Sequence, residues 1–200
     1  MKLLKLTLAD AKSDPRYVAA DMLSQAEHDK NATAVLVTDS MVLAEQVAEE
    51  LEVQLKCLSR EEIARTSIEN NGKIIVAPDL KVAVDVANRI APEHLEICVD
   101  DPFEYLGLVK NAGSVFLGRY NAEPMGDYFT GPNHTLPTSG TARFYSPLSV
   151  DDFVKKMQYS YYTRQALERD YDKVSYFARK EGLTAHARSV DIRFGMEDRD

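Results

Sequence analysis

The chain has few cysteines and no arrangement of them that would build a disulfide framework. Only two occur among its 200 residues, Cys57 and Cys98, and no CxxC pair is present. Small disulfide-rich folds and zinc sites made of clustered thiols need more cysteines at closer spacing. We therefore expect both thiols to be reduced and to lie in the core.

Long hydrophobic runs are also missing, and so is any basic patch. No apolar segment is long enough to cross a bilayer, and the first residues, MKLLKLTLADAK, become charged too early for a secretion signal. The formal net charge is −8, from 24 basic and 32 acidic residues. Because nucleic-acid binding needs clustered positive charge, this composition predicts a protein that does not bind nucleic acids. The lack of a membrane-spanning segment and of a secretion signal predicts a cytoplasmic protein that does not bind membranes.

No glycine loop of the kind that binds phosphate follows any predicted strand. Neither GxGxxG nor a Walker sequence is present. The chain nevertheless alternates strands and helices over most of its length, which predicts a parallel sheet with right-handed crossovers. We expect an incomplete doubly wound, Rossmann-like α/β domain over residues 1–147, followed by a mostly helical C-terminal extension over residues 148–200.

Hydrophobic patterning and capping residues predict the limits of the individual elements. The predicted strands are Leu3–Ala9, Ala32–Thr38, Lys73–Ala77, Leu95–Val99, Ser114–Gly118 and, in the extension, the tyrosine-rich Gln158–Tyr162. The predicted helices are Arg16–His28, a long one capped by Asp39 or Ser40, one opened by Ser59 and ending near Gly72, one from Pro78 through Ile90, Pro102–Asn111, a short one opened by Ser149 and Asp152, Arg164–Lys180, and a last one over residues 183–190.

The stretch from Met125 to Phe144 has neither helical nor strand periodicity and is rich in glycine and proline. Glycine relaxes the backbone and proline restricts it, so such a loop can be rigid without being regular. Asp127 and His134 lie within it. An acid and a histidine held in a rigid loop indicate a site.

Histidine is scarce, and each of the four has a distinctive local sequence. Gln25 and His28 are three residues apart on a predicted helix and would share one face, although a solvated helix end is the simpler interpretation. Glu93 and His94 directly precede a predicted strand, where adjacent side chains point to opposite sides. They could act at two points of a cleft, one as a proton acceptor and the other as a water activator. Alternatively, they could simply be charged residues at the end of a helix.

The remaining candidates come from the glycine-rich loop and from the C-terminal region. Asp127 and His134 share the loop, while Glu181 and His186 flank Gly182. An aspartate, two histidines and a glutamine amide oxygen would form a plausible ligand shell for zinc or a related divalent ion. Spacing alone does not show that residues from such distant places converge.

Six strings of this sequence, in this order, resemble the histidinol dehydrogenase family. They are DMLSQAEHD (21–29), APEHLEI (91–97), NAGSVFLG (111–118), GDYFTGPNHTLPTSG (126–140), SPLSVDDF (146–153) and EGLTAH (181–186). Together they extend over nearly the whole chain from about Leu8, so the resemblance is far more specific than any single motif.

The resemblance implies an NAD-linked, zinc-containing enzyme that oxidises L-histidinol through the aldehyde to L-histidine, the last steps of histidine biosynthesis. In that family four positions hold the zinc and contact the substrate, and they correspond here to Gln25, His28, Asp127 and His186.

The resemblance also implies the roles of the other candidates. Glu93 and His94 correspond to the pair that transfers protons and activates water, and His134 and Glu181 to further substrate contacts. The family is a homodimer in which the C-terminal segment reaches the partner subunit. His186 and Glu181 would then act in the site of the other subunit.

The chain is about half as long as this family leads us to expect. The other half, with most of the NAD contacts, would lie upstream, so a fragment and one piece of a split enzyme with a separate upstream half remain open. A non-catalytic α/β dimerisation module is the main alternative function. A zinc hydrolase using Glu93 and an activated water is a weaker one.

Overall fold

The structure is a computed structural model that describes residues 3–195. The chain divides into two compact units, Met1–Phe153 and Val154–Asp200. The first two residues of the first predicted domain and the last five of the second lie outside the described residues. No helix within residues 3–195 is long and apolar enough to cross a membrane.

A parallel sheet of five strands forms the centre of the first unit, as described over residues 3–153, in the order β3-β2-β1-β4-β5. The strands are β1 (Leu4–Ala9), β2 (Thr33–Thr38), β3 (Lys73–Val76), β4 (His94–Cys98) and β5 (Ser114–Leu117). The chain winds from β1 to one edge and then crosses back to β4, so the switch point lies between these two central strands. The predicted doubly wound α/β sheet is confirmed.

Helices follow the strands, and two of them begin directly after cap residues that the sequence predicts, Ser40 and Asp79. The helices are α1 (Pro15–Ala26), α2 (Met41–Leu55), α3 (Glu61–Asn71), α4 (Leu80–Ile90), α5 (Phe103–Leu106) and α6 (Pro124–Tyr128). Ser40 accepts a hydrogen bond from the Leu43 N–H at 3.2 Å, and Asp79 accepts one from the Val82 N–H at 2.8 Å. Each cap satisfies an amide that the first helical turn leaves unpaired.

Both faces of the sheet are buried. Leu6 and Leu8 of β1 join a core on the side of α4, while Ala9 joins a second core on the side of α1 and α2. Because successive strand residues point to opposite faces, Lys5 and Thr7 share the α1 side with Ala9. Both are almost completely buried, at 1% and 0% exposure.

Three of the predicted helices differ from the structure. The predicted Pro102–Asn111 helix is wrong beyond Leu106, because the Asn88 side chain binds the Leu108 carbonyl and the Lys110 N–H. The predicted Ser59 cap is also wrong, since α3 begins after Arg60 without a side-chain cap bond.

The Ser149–Asp152 pair does form a cap, with the Ser149 N–H donating to Asp152 Oδ2 at 2.7 Å. It opens only a 3-10 turn, Val150–Phe153. The predicted helix at this position is therefore only a single 3-10 turn, which is too short to bury an apolar face.

The second unit contains two helices among its described residues, α7 (Arg164–Lys180) and α8 (Thr184–Asp191), close to the prediction. Asp191 is buried and accepts hydrogen bonds from Ser175 Oγ at 2.9 Å and from Arg179 Nη2 at 2.8 Å, which joins the two helices. The predicted Gln158–Tyr162 strand is wrong, because residues 154–163 have no regular structure. Tyrosine-rich composition favours a strand only where another strand is available for pairing.

The two cysteines differ in environment. Cys98 ends β4 in the core, and burial raises the pKa of its thiol to about 11, so it is a protonated core thiol as predicted. Cys57 is exposed, so the prediction of a core position for it is wrong. It follows the last turn of α2 and lies outside the apolar stripe of that helix.

An arginine occupies the carboxyl end of the switch point between β1 and β4. Arg119 Nη2 donates to both carboxylate oxygens of Asp10 at 2.8 and 3.0 Å, and Arg119 Nε donates to Asp100 Oδ1 at 2.8 Å. Arg119 Nη1 also donates to Ser13 Oγ at 2.6 Å and to the Cys98 carbonyl at 3.0 Å. Doubly wound folds usually bind a nucleotide in this crevice. Here the protein's own ion pairs occupy part of it, next to a cavity of about 350 Å³ lined by Asp100, Leu117 and Arg119.

Replacing Arg119 with methionine should destabilise the first unit by about 2 kcal/mol, because Asp10 would lose its bidentate partner at a largely buried position. The free energy of unfolding from urea titration measures the loss. Arg16→Met is the control, since Arg16 and Asp14 form an exposed ion pair and its removal should change little. Equal stability of the two variants would contradict a structural role for the Arg119 cluster.

Candidate active site

The candidate residues meet at the amino edge of the sheet, opposite to the Arg119 cluster. His94 is the first residue of β4, and it lies in register with Lys5 on β1 and with Ser114 on β5. The parallel register therefore brings three strand beginnings to one level. His94 belongs to the strand itself, one residue earlier than the sequence predicts.

The backbone before His94 is held tightly. Glu93 donates its N–H to the Leu4 carbonyl at 3.0 Å and accepts from the Ser114 N–H at 2.8 Å. A Cβ atom on Gly113 would lie 2.6 Å from the Glu93 carbonyl oxygen, so only glycine allows this approach. Ala91 ends α4 in the left-handed region, with φ at 54°. Strained backbone of this kind is frequent next to functional residues.

Asp127 and His134 are in direct contact beside His94. Asp127 lies on α6, so the prediction that its segment lacks helix is wrong at this point. Gly126 makes the helix fit, because a Cβ atom there would lie 2.6 Å from Phe116 Cε1. His134 lies in the irregular part of the loop, and its Nδ1 is 2.7 Å from Asp127 Oδ1.

His94 has the chemistry of a neutral, unpartnered imidazole. Its side chain is 5% exposed, and both ring nitrogens lack a hydrogen-bond partner among the described residues. The ring stacks on that of His134 with 5.6 Å between centroids. Burial lowers the pKa of His94 to about 4, and the nearby Asp127 carboxylate opposes this shift. A neutral imidazole with free nitrogens can accept a proton or bind a metal.

Glu93 is poised to gain or lose a proton near neutral pH. Burial raises the pKa of its carboxyl to about 7, and a hydrogen bond with the Leu4 backbone opposes the shift. Its Oε2 has no partner in the described part of the chain. Although alternation predicts that Glu93 and His94 point apart, His134 and Asp127 affect the pKa of both. Both groups therefore belong to the same site.

A small cavity adjoins these groups. It has a volume of about 120 Å³ and is lined by His94, Asp127 and His134 on its polar side and by Phe116 and Leu136 on its apolar side. The donor atoms of the three polar residues all lie within 4.8 Å of one another. The cavity is small compared with most ligand pockets, which suits a single planar ring or an ion with a few ligands.

His28 approaches this group of residues from α1. Its charge contributes to lowering the pKa of His94, which places the two side chains in each other's electrostatic range. The predicted helix is two residues too long, because α1 ends at Ala26 and His28 lies in the following turn. Its N–H still bonds the Gln25 carbonyl at 3.3 Å, so a helical turn is retained. Gln25 is buried and His28 exposed.

The two remaining candidates lie in the second unit. Glu181 caps the end of α7, and His186 lies on α8. Both side chains are exposed. The first unit thus brings together Glu93, His94, Asp127 and His134, with His28 within electrostatic range of His94, and the second unit carries the other pair.

A divalent cation fits the chemistry of these residues. The carboxylate and imidazole donors match the preferences of zinc, and His94 offers two buried nitrogens without partners in the described residues. Asp127 belongs both to this cluster and to the ligand set that the resemblance implies, Gln25, His28, Asp127 and His186.

Sequence reasoning missed three charged residues beneath the site. Lys5, Glu96 and Glu123 are each 4% exposed or less. Lys5 Nζ lies 2.8 Å from Glu96 Oε1 and 3.9 Å from Glu123 Oε2. A lysine and a glutamate inside two central strands of a sheet buried on both faces are the signal that could have revealed them.

Comparisons with known proteins match this chain along nearly its whole length. The family model for "Histidinol dehydrogenase" matches residues 5–194. A histidinol dehydrogenase of Caldanaerobacter subterraneus is 58% identical over 187 residues, which are 94% of this chain and 44% of that protein. One from Halalkalibacterium halodurans is 56% identical over 193 residues, which are 96% of this chain and 45% of that protein.

A solved structure extends the likeness to three dimensions. The crystal structure of histidinol dehydrogenase from Elizabethkingia anophelis has a TM-score of 0.91 and is 36% identical, covering 96% of this chain and 44% of that one. The chain therefore spans a little under half the length of the relatives that it matches.

Glu93→Gln should make the protein more stable at pH 8 and leave it unchanged near pH 4. The folded state holds the Glu93 proton up to a pKa of about 7 rather than 4.5, so the free energy of unfolding falls as pH rises through this interval. A glutamine at position 93 does not ionise, so the variant avoids this loss of stability, which reaches about 3 kcal/mol above pH 7.

Thermal and urea unfolding at several pH values test this expectation. Glu45→Gln, at an exposed position on α2, is the control and should show no pH-dependent difference from the parent. A Glu93→Gln variant with the same stability profile as the parent would contradict a buried, protonated Glu93.

Proposed function

Because the chain belongs to the histidinol dehydrogenase family, we propose that it supplies the zinc and substrate part of an NAD-linked oxidation of L-histidinol to L-histidine. The observation that carries this proposal is His94, a buried neutral imidazole beside Glu93 and the Asp127–His134 pair. The family match over residues 5–194 supports the pathway, histidine biosynthesis. Zinc, NAD and the route through the aldehyde are part of the proposal.

Four residues would hold the zinc: Gln25, His28, Asp127 and the partner subunit's His186. The oxygen and imidazole donors suit this ion, and the electrostatic effect of His28 on His94 supports the approach of α1 to the site. When bound, the ion would act as a Lewis acid that orients the imidazole and amine of the substrate.

His94 is the proposed proton acceptor. It is neutral over most of the physiological range because its pKa is lowered to about 4. In the first oxidation, a free nitrogen of His94 would take the O–H proton of the carbinol, and NAD, when bound, would supply the hydride acceptor for the oxidation to the aldehyde. Its stacking on His134 and its place in β4 fix the direction of this nitrogen.

Glu93 is the proposed base in the second oxidation. Its carboxyl would take one proton from the water that adds to the aldehyde carbon, and a second NAD, when bound, would supply the hydride acceptor for the oxidation to the carboxylic acid. A pKa of about 7 allows the carboxyl to accept this proton and to release it again near neutral pH.

The remaining contacts belong to the substrate and the second subunit. His134 and the partner subunit's Glu181 would contact L-histidinol, together with the four zinc-holding residues. We propose a homodimer in the cytoplasm, with each site shared between subunits. Most NAD contacts would come from the part of the full-length relatives that this chain does not match, either as an upstream half on a separate chain or as a part of the same polypeptide.

Isothermal titration of the chain with Zn²⁺, followed by L-histidinol, tests the site. Asp127→Asn should lower zinc affinity by at least about 100-fold, because a ligand change exceeds the 10–100-fold typical of residues that only support ligands. Asp85→Asn, at an exposed position on α4, is the control and should bind zinc like the parent. Absence of zinc binding, or equal binding by Asp127→Asn, would contradict the site.

A second candidate function is a non-catalytic dimerisation module, favoured by the coverage of only 44–45% of the relatives. Adding the part of a full-length relative that this chain does not match distinguishes the two functions. NADH formation from L-histidinol and NAD would support the enzyme. A dimer that binds zinc but forms no NADH would support the module.

A further inference from the structure

The cluster of charges beneath the site has no role in the proposed chemistry. Lys5 is 1% exposed in the central strand β1, on the face covered by α1. Its Nζ lies 2.8 Å from Glu96 Oε1 and donates to Ser24 Oγ of α1 at 3.1 Å. Burying a lysine costs free energy unless it is paired and hydrogen-bonded, and an apolar residue at this position would avoid that cost.

Glu96 links the strand of His94 to the helix of Asp127. It lies two residues after His94 on β4, on the same face of the sheet. Its Oε2 accepts from Thr7 Oγ1 at 2.9 Å, and its Oε1 accepts from the backbone N–H of Glu123, also at 2.9 Å. Glu123 directly precedes α6, whose fourth residue is Asp127.

The Glu123 side chain continues this connection. Burial, together with a hydrogen bond to the Asp127 carboxylate, raises the pKa of Glu123 to about 7. Its Oε1 lies 3.9 Å from His94 Nε2 and its Oε2 3.9 Å from Lys5 Nζ. The carboxyl of Glu123 therefore lies between the catalytic imidazole, the buried lysine and the proposed zinc ligand.

We infer that Lys5 and Glu96 are positioning residues, which fix α6 against β4 and thereby set the position of Asp127 relative to His94. Glu96 does this by accepting a hydrogen bond from the backbone N–H of Glu123. Lys5 does this by holding the Glu96 carboxylate in place. This inference rests on the proposed function, because it assumes that Asp127 binds the metal. Residues that orient ligands typically change metal affinity when they are replaced.

Two changes remove the link in different ways. The double variant Lys5→Met/Glu96→Gln removes both partners of the closest ion pair together, so that neither is left alone, although Glu123 and Asp21 also lose the Lys5 charge at 3.9 and 4.0 Å. Thr7→Val keeps both charges and the side-chain shape but removes the hydrogen bond to Glu96 Oε2. Arg119→Met is the matched control, because it breaks a comparable ion cluster at the opposite edge of the sheet.

The experiment measures Zn²⁺ affinity by calorimetry and the visible spectrum of the Co²⁺-loaded protein, which reports ligand geometry. The double variant should lose about 10–100-fold in zinc affinity and show a changed Co²⁺ spectrum at saturation. Thr7→Val should lose less, about 3-fold to 10-fold, since one of the Glu96 bonds is removed. Arg119→Met should be less stable but keep the affinity and spectrum of the parent.

The outcomes separate this inference from the proposed function. The proposed zinc site stands if the parent binds zinc and Asp127→Asn does not. The positioning role is then wrong if both the double variant and Thr7→Val match the parent in zinc affinity and in Co²⁺ spectrum. An equal loss of affinity in Arg119→Met would also overturn it, because the effect would then follow stability. If the double variant does not fold, Thr7→Val decides alone. No zinc binding by the parent would overturn both the site and the inference.

Discussion

The sheet of this protein is covered by helices on both faces, so any polar side chain on its central strands must find its partners inside the protein. Lys5 and Glu96 meet this requirement with each other, at 2.8 Å, and with groups from α1, β1 and the segment before α6. Replacing either partner alone would leave a buried charge, which is more costly than replacing both. The ion pair therefore fixes how three elements meet beneath His94.

The location of the site follows from the same architecture. Doubly wound folds usually bind ligands at the carboxyl ends of the strands, at the switch point. Here Arg119 fills that position with ion pairs to Asp10 and Asp100. A larger cavity, of about 350 Å³, lies beside these ion pairs. The amino edge carries a smaller cavity, of about 120 Å³, with a neutral imidazole and the Asp127–His134 pair in its lining. In this unit, the carboxyl edge stabilises the fold and the amino edge offers the chemistry.

The fold was largely predictable from the sequence. Buried strands such as Thr33–Thr38 and caps such as Asp79 are local signals, and the structure confirms them. Predictions failed where a distant group decides the local structure. The Asn88 side chain ends α5, and the tyrosines of residues 158–162 have no strand beside them in the described residues.

The site was predictable only in part. The local sequence identifies Glu93, His94, Asp127 and His134 as candidates, and the first unit brings all four together. Their convergence depends on the strand register, which aligns Lys5 with His94 and could not be derived from spacing. The roles of Lys5 and Glu96 depend on burial from both faces of the sheet. Strand alternation does not reveal this burial.

We propose above all that this edge of the sheet holds zinc through oxygen and imidazole donors. X-ray absorption at the zinc edge of the loaded chain tests it most directly. We expect only nitrogen and oxygen scatterers, at about 2.0–2.2 Å, with the multiple-scattering signal of imidazole, which should weaken in His28→Ala. A sulfur scatterer at about 2.3 Å, or a spectrum unchanged by His28→Ala, would contradict the account.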